Sequence, residues 1–593
     1  MMPATESTTG QEVVSGAGPM SNADLEHFLR KGYLIVPSGV KPEVHESIKR
    51  SAVEIVNRGP HAAAHLGDDV YPAIPELGEV LYADKVQEAL KSVLGEGVML
   101  HEHRHLHLST GWEQMWHKDS YWGFRKLRHH RPRWCMMLYY PQDTTIDMGP
   151  THILSGSQYW TIDTESREQG EDILSPESGR ISMFVEGSSA EKAQQLFQAQ
   201  DQLVTAQHRN LVEHIALTVP AGSCVLMHYD LYHRAGFKSH EDAPLRAMFK
   251  FQFIRTTEPT VAAPPLPALT KPIVTALKPT IITPEHEEVV DVSMVPSKSA
   301  SSSANAAAAS AAPEVEPILE DIRSWFRGGW ASANVVPAAS SRSPPAPEGG
   351  AVDTSKLCEV DCVAHAYRLG LGGVASIPEL VRMLTVGSEA EARAATYGLM
   401  AVGPAATASL LPLLTDISPR VRAWSSFALG ECSRPSTDLL DHFERALHAE
   451  QLPAVEAAYL QALGCVASRS RALQEEALCH RCTELAMPYL LPIKCFCSLR
   501  GENACLVALM AGGLTGDVSQ ETLNALMDIA NYCDDRYMVA FALEVLNRRT
   551  KHYYEENQQS NVVQCSEEMT TSTIDSISGV RHKAGAELVP MSG

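Results

Sequence analysis

The chain reads as a multidomain protein. A strand-rich domain with flanking helices comes first, then a Pro/Ala/Ser-rich connection, then an all-α region. Three observations point this way. At 593 residues the chain is well beyond the ~250–300 at which one hydrophobic core stops growing. Short apolar runs such as Trp134–Tyr140 and the one within Gly222 to Gly236 that leads to His233 have the length and composition of strands. Beyond about residue 354 the apolar period becomes helical and the sequence begins to repeat.

The first domain carries the chemistry. In the run Met115-Trp116-His117-Lys118-Asp119-Ser120-Tyr121-Trp122, residues two apart on an extended strand point to the same face. His117 and Asp119 can therefore offer an imidazole nitrogen and a carboxylate oxygen to one metal. The second half of the constellation is Gly222 to Gly236, where an apolar strand leads through a short polar turn to His233. Arg246 opens another strand 13 residues after His233. Two histidines and one carboxylate on one octahedral face leave three cis positions open, as non-haem Fe(II) oxygenases require. Chelation by a 2-oxo acid takes two of these and dioxygen the third. The planar fork of Arg246 suits the distal carboxylate of 2-oxoglutarate, where lysine would offer only a point charge. His228 competes with His233 for the third ligand position.

In this order these residues resemble the phytanoyl-CoA dioxygenase family of Fe(II)/2-oxoglutarate oxygenases, over roughly residues 24 to 255. Phe28 to Pro37 is similar to the family's opening, a helix running into a Gly-Tyr strand. The Trp-His-x-Asp stretch follows, then the strand Trp134–Tyr140. Gly149-Pro150-Thr151-His152-Ile153-Leu154-Ser155-Gly156-Ser157-Gln158 resembles the family's Gly-Pro…Pro-Gly-Ser-His segment. It departs at Ser155, where proline is usual, and at Gln158, where histidine is usual, which bears on substrate-side contacts. The resemblance implies a double-stranded β-helix (jelly-roll), with His117, Asp119 and His233 as iron ligands and Arg246 as co-substrate anchor. The family's spacing to the arginine favours His233 over His228.

The implied cofactor is Fe(II), with 2-oxoglutarate and O2 as co-substrates and ascorbate in support. Related halogenating oxygenases have a small residue in place of the aspartate, so Asp119 closes the halide position. Hydroxylation of an aliphatic carbon, with release of succinate and CO2, is the implied reaction. Trp116, Tyr121 and Trp122 flank the ligands as candidate pocket residues, with aromatic core as the equal alternative. The alternation His101, His103, His105, His107 reads as a polar interior strand with one member near the co-substrate, in preference to a second metal site.

Composition sets limits. A formal charge of −22 argues against nucleic acid or an anionic membrane as partner. No apolar run approaches the ~20 residues of a membrane span, and the first residues contain Glu6 and Glu12 without an apolar signal core. Thirteen cysteines without such a signal suggest reduced thiols and an intracellular, cytoplasmic protein.

Domain limits follow from composition shifts. Residues 1–22 read as a disordered N-terminus and 23–257 as the oxygenase domain. Within it, residues 160 to 212, with a helix around Ala190 to Leu203, form a candidate lid or an inert excursion. Residues 258–353 are linker, with an amphipathic island at 315–328 whose Ile318, Leu319, Ile322, Trp325 and Phe326 are helically spaced. Residues 354–556 are repeats and 557–593 a disordered tail. Val421 to Gly430 aligns with Val455 to Gly464 at an offset of 34, and Ala392 to Tyr397 precedes them by 29. Each is paired with a second apolar helix, as at Ser409 to Leu414. This is similar to HEAT-like repeats. Cys479-His480-Arg481-Cys482, with Cys495 and Cys497, and likewise Cys358 and Cys362, read as helix-packing thiols rather than a zinc site.

Two functions follow. One is an oxygenase acting on a small-molecule substrate, with the repeats as a surface for a protein partner. The other is a repeat scaffold whose oxygenase-like domain binds or senses without turnover.

Overall fold

The computed structural model describes residues 20–58, 70–101, 104–109, 116–119, 129–159, 213–236, 238–240, 242–260, 280–281, 315–331, 357, 359–490, 499–514, 518–533 and 536–559. His103, Tyr121, Trp122, Cys358, Cys495, Cys497 and the candidate lid at 160–212 lie outside these residues.

Helix α1 (Asn22–Lys31) starts from a capping box. The Ser21 hydroxyl accepts from the Asp24 N–H at 3.1 Å, and the Asp24 carboxylate accepts from the Ser21 N–H at 3.1 Å. It ends at Gly32 in the left-handed region, φ 78°. A Cβ there would lie 2.5 Å from Gln158 Oε1 and 2.7 Å from Leu231 Cδ1, so conformation and packing both demand glycine. Strand β1 (Tyr33–Pro37) follows at once. Helices α2 (Pro42–Asn57), α3 (Val70–Ala73), α4 (Leu77–Leu81) and α5 (Asp84–Leu94) cover the outer face of the first sheet.

The strands are β2 (Val98–Leu100), β3 (His105–Leu108), β4 (Trp134–Tyr140), β5 (Thr151–Ser155), β6 (Glu213–Ala216), β7 (Ser223–His228), β8 (His233–Ala235), β9 (Ala247–Arg255) and β10 (Thr280–Ile281). One antiparallel sheet runs β1-β7-β4-β9-β2, with β3 also on β9, and a second runs β10-β6-β5-β8. Period-two alternation decides which side chains lie between them. Met136, Leu138 and Tyr140 of β4 meet Ile153, Ile215, Val225, Met227 and Met248 in one core. Cys135, Met137 and Tyr139 belong to the larger core under the helices.

The amphipathic island forms α6 (Glu316–Phe326), burying Ile318, Leu319, Ile322 and Trp325. Then come α7 (Glu359–Leu371), α8 (Ile377–Val386), α9 (Glu389–Val402), α10 (Thr407–Leu410), α11 (Pro419–Cys432), α12 (Thr437–Ala449), α13 (Pro453–Ala472), α14 (Glu476–Ala486), α15 (Leu499–Met510), α16 (Gln520–Tyr532) and α17 (Arg536–Gln559). Helices α7, α9, α11, α13, α15 and α17 pack successively as an inner row, backed by α8, α10, α12, α14 and α16. The three sequence repeats are α9, α11 and α13, neighbours in that row. Small residues let the helices approach: a Cβ on Gly430 of α11 would sit 2.8 Å from the Ala462 Cα of α13. The stretch Glu389–Thr415 has the length and apolarity of a membrane span, with a mean hydropathy of 1.4, which the composition reading did not single out. Its α9 part packs between α7 and α11.

The strand domain and the helices meet through buried charge. Arg131 and Arg133, just before β4, converge on Glu431 of α11. Arg133 Nε and Nη2 donate to Glu431 at 2.8 and 3.0 Å, and Arg131 Nη1 donates at 3.2 Å. His129 Nδ1 lies 3.1 Å from the same carboxylate. Arg131 also pairs with Asp321 of α6 at 3.0 Å, and Arg133 with Glu258 at 2.8 Å. Arg469 of α13 approaches Glu431 at 3.9 Å and bonds its backbone carbonyl. Three arginines thus face three carboxylates, all buried. Such pairing is what makes burial of these charges tolerable.

Candidate metal centre

Residues 116–118 add a short extension to the second sheet. His117 pairs with His233 of β8, and each N–H donates to the other's carbonyl at 3.0 Å. This register brings the two imidazoles together, with ring centroids 4.3 Å apart. Asp119 lies beside them. Its Oδ1 is 3.9 Å from His117 Nε2 and its Oδ2 is 3.7 Å from His233 Nε2. The three ligand atoms fall within 4.8 Å of one another, the one such group among the described residues. His233 Nδ1 lies 3.0 Å from the Leu231 carbonyl. A proton on Nδ1 would leave the Nε2 lone pair for a metal, the arrangement that orients histidine ligands.

Electrostatics keep the donors in ligating form. Burial works against ionisation of Asp119, but the Lys250 ammonium, then His233 and His117, hold its carboxyl far below the usual range. Burial, then the neighbouring His117, push His233 down to about 3, so it stays neutral. Lys250, on the inward face of β9, forms an ion pair with Asp119. Lys250 is four residues past Arg246, on the same strand face by period two, a signal present in the sequence but not used there.

Arg246 is buried with 1% of its surface exposed. Its Nε donates to the Gly149 carbonyl at 2.8 Å, and its Nη1 has no hydrogen-bond partner among the described residues. An unmatched buried donor of this kind suits an anionic ligand. His107 lies within electrostatic reach of Lys250, Arg246 and Asp119, and burial first of all keeps it neutral. His101, His105 and His107 lie opposite Gln252, Lys250 and Met248 respectively, on the inward side of that sheet.

Other residues resolve differently. Trp116 points away from His117 and packs with Leu154 and Tyr232, under the Arg234 guanidinium at 4.8 Å. Its described contacts make it part of a packing cluster, not a wall beside the ligands. Lys118 points the same way and donates to the Ser157 carbonyl at 3.0 Å. His228 occupies the outward face of β7, near Phe28 and Tyr159, and is not in the ligand group. Gln158 donates to the Leu29 carbonyl at 2.9 Å at the end of α1, so the residue in place of the usual histidine ties a helix to the two-sheet domain. Cys479 and Cys482 are buried between helices, and burial raises both thiols.

The two-sheet domain and its interior His-Asp-His group have the ligand set of a mononuclear non-haem metal centre. Residues 28–241, just over a third of the chain, match the family Phytanoyl-CoA dioxygenase (PhyH). No curated protein matches the chain significantly. Among solved structures, EctD from S. alaskensis with 2-oxoglutarate and 5-hydroxyectoine is similar at 16% identity, covering 40% of this chain and 77% of that one, with a TM-score of 0.28. The non-heme alpha ketoglutarate dependent carbocyclase SnoK from nogalamycin biosynthesis is similar at 13% identity, covering 41% and 86%, with a TM-score of 0.29. HygX from Streptomyces hygroscopicus shows 16% identity, 40% and 88% coverage and a TM-score of 0.28.

Proposed function

We propose that this chain is an Fe(II)- and 2-oxoglutarate-dependent dioxygenase that hydroxylates an aliphatic carbon of a small organic molecule, releasing succinate and CO2. The observation that carries this is the convergence of His117, Asp119 and His233 inside a domain matched to the PhyH family. In this reading the three residues hold iron(II), and Arg246 anchors the distal carboxylate of 2-oxoglutarate. Bound together, metal and co-substrate supply oxygen activation and oxidative decarboxylation, with ascorbate keeping the metal reduced.

The chain's own residues provide the setting. The Leu231 carbonyl fixes the His233 ring. Asp119 fills the coordination position that a halide would need. Lys250 and His107 place donors between the ligands and Arg246. The domain from 23 to 257 is a double-stranded β-helix in this reading, joined by the 258–353 linker to HEAT-like repeats over 354–556.

The test is anaerobic addition of Fe(II) and 2-oxoglutarate to the purified protein, followed by oxygen. A visible metal-to-ligand charge-transfer band and subsequent succinate formation are expected. His117→Ala should lose both, and Arg246→Ala should need far more 2-oxoglutarate for either. Absence of both band and succinate in the unaltered protein would overturn the proposal.

A further inference from the structure

The inner helix row faces its own strand domain, and α7, α9, α11, α13 and α17 each contribute to that contact. Tyr367 of α7 bonds His130 at 3.0 Å, and Tyr397 of α9 stacks on the same imidazole at 3.8 Å. Glu431 of α11 takes Arg131 and Arg133. Gln461 of α13 bonds His129 at 2.8 Å. The row ends at α17, whose first turns bring Tyr537 and Phe541 onto the strand domain. The Tyr537 hydroxyl lies 3.1 Å from that of Tyr229, and its ring is 4.6 Å from His101. Phe541 meets His101 edge-on at 5.6 Å and Trp134 at 6.2 Å.

This contact lies at the metal side of the barrel. His101 and Gln252 share the inward-facing register of Lys250, which pairs with Asp119. Gln252 is fully buried and lies against the Tyr537 hydroxyl. The Asp119 carboxylate also acts on both phenols: burial first, then Tyr537 and Asp119, raise Tyr229, and burial first, then Asp119 against the lowering hydrogen bond with Tyr229, raises Tyr537.

Resting on the metal-centre reading above, we infer that the helical region is part of the active site: Tyr537, with Phe541 behind it, walls the metal centre and is a specificity-determining residue. The wall is uncharged and aromatic, with hydroxyl and carboxamide groups at its edge. It suits an apolar small molecule carrying a hydrogen-bonding group. Tyr367, Tyr397, Glu431, Gln461 and Tyr537 of the inner row all meet the strand domain, so at these positions the row makes an internal contact.

The test places 3-fluorotyrosine at position 537 of the full chain and, in a second protein, 4-fluorophenylalanine at 541, and loads each with Mn(II) or Zn(II). Mn(II) should broaden both fluorine resonances beyond detection, Zn(II) should leave them sharp, and Asp119→Ala should abolish the broadening. A fluorotyrosine at Tyr459, bonded to the Leu414 carbonyl away from the barrel, should stay sharp throughout. If Mn(II) binds, as its own EPR spectrum reports, and both labels stay sharp, the wall assignment falls while the metal centre stands. If Mn(II) fails to bind, the metal centre falls and takes the wall with it.

Discussion

Replacing Glu431 with Gln isolates the buried network that joins the two halves of the molecule. The change keeps the shape of the side chain and removes one charge. Arg131, Arg133 and Arg469 would then face only Glu258 and Asp321, leaving one positive charge uncompensated. Glu431 is 1% exposed, so water cannot make up the loss. Breaking a buried pair from one side costs about 3–5 kcal/mol. For a cooperative unit of ~200 residues, each kcal/mol lowers the melting midpoint by about 2–4 °C, so a fall of roughly 6–20 °C is expected. Calorimetry at neutral pH measures it, and limited proteolysis should show the helical region released first. A double-mutant cycle with Arg133→Gln sharpens the test, because residues in one network should couple by about 0.5–3 kcal/mol. A midpoint within ~2 °C of the parent, or strict additivity in the cycle, would refute the reasoning, since exposed ion pairs behave that way.

Four further outcomes are expected. Arg246→Lys should weaken 2-oxoglutarate binding by roughly 10- to 150-fold, the value of a charge-assisted hydrogen bond of about 1.5–3 kcal/mol, measured by titrating the charge-transfer band; unchanged affinity would remove Arg246 from the anchor role. Gly32→Ala should destabilise the protein by about 1 kcal/mol or more, from the φ of 78° and the crowding at Gln158, read from urea unfolding. Acid should destabilise the fold early. Burial holds His101 at about 3 and His228 at about 4, both below the unfolded value. Above pH 6.5 neither state takes up these protons. As pH falls from there towards 3–4 the unfolded chain binds protons the folded one refuses, removing about 1.4 kcal/mol per unit per histidine. His228→Asn should flatten the unfolding profile over that range. Lys250→Met should leave the three ligands in place but alter metal retention, since it removes the cation paired with Asp119; equilibrium dialysis with Mn(II) checks this, and an unchanged affinity would make the ion pair incidental.

Much of the candidate metal centre was legible in the chain because its signals are local. His117 and Asp119 share a face by the geometry of an extended segment, and the glycine at 32 follows from a helix stopping just before a strand. The repeats at 392, 421 and 455 are local as well, since each is one helix of the inner row. Trp116 shows the limit of local reading. Its neighbour His117 belongs to the His-Asp-His group, yet alternation turns Trp116 to the opposite face, where Leu154 and Tyr232 receive it. Gln158 has a similar history: where the resemblance has histidine, it proved to be a tie between α1 and the two-sheet domain.

The residue types, their strand period and their order along the chain determined by themselves which side chains can form a His-Asp-His group. Covalent spacing and backbone geometry act over a few residues whatever the rest of the chain does. That His117 meets His233, that Glu431 gathers arginines about 300 residues upstream, and that Tyr537 reaches Tyr229 were decided only by tertiary structure. Those contacts depend on sheet register and helix stacking, and their free energy comes from burying charges and rings together, a property of the assembled core that no local window of sequence contains.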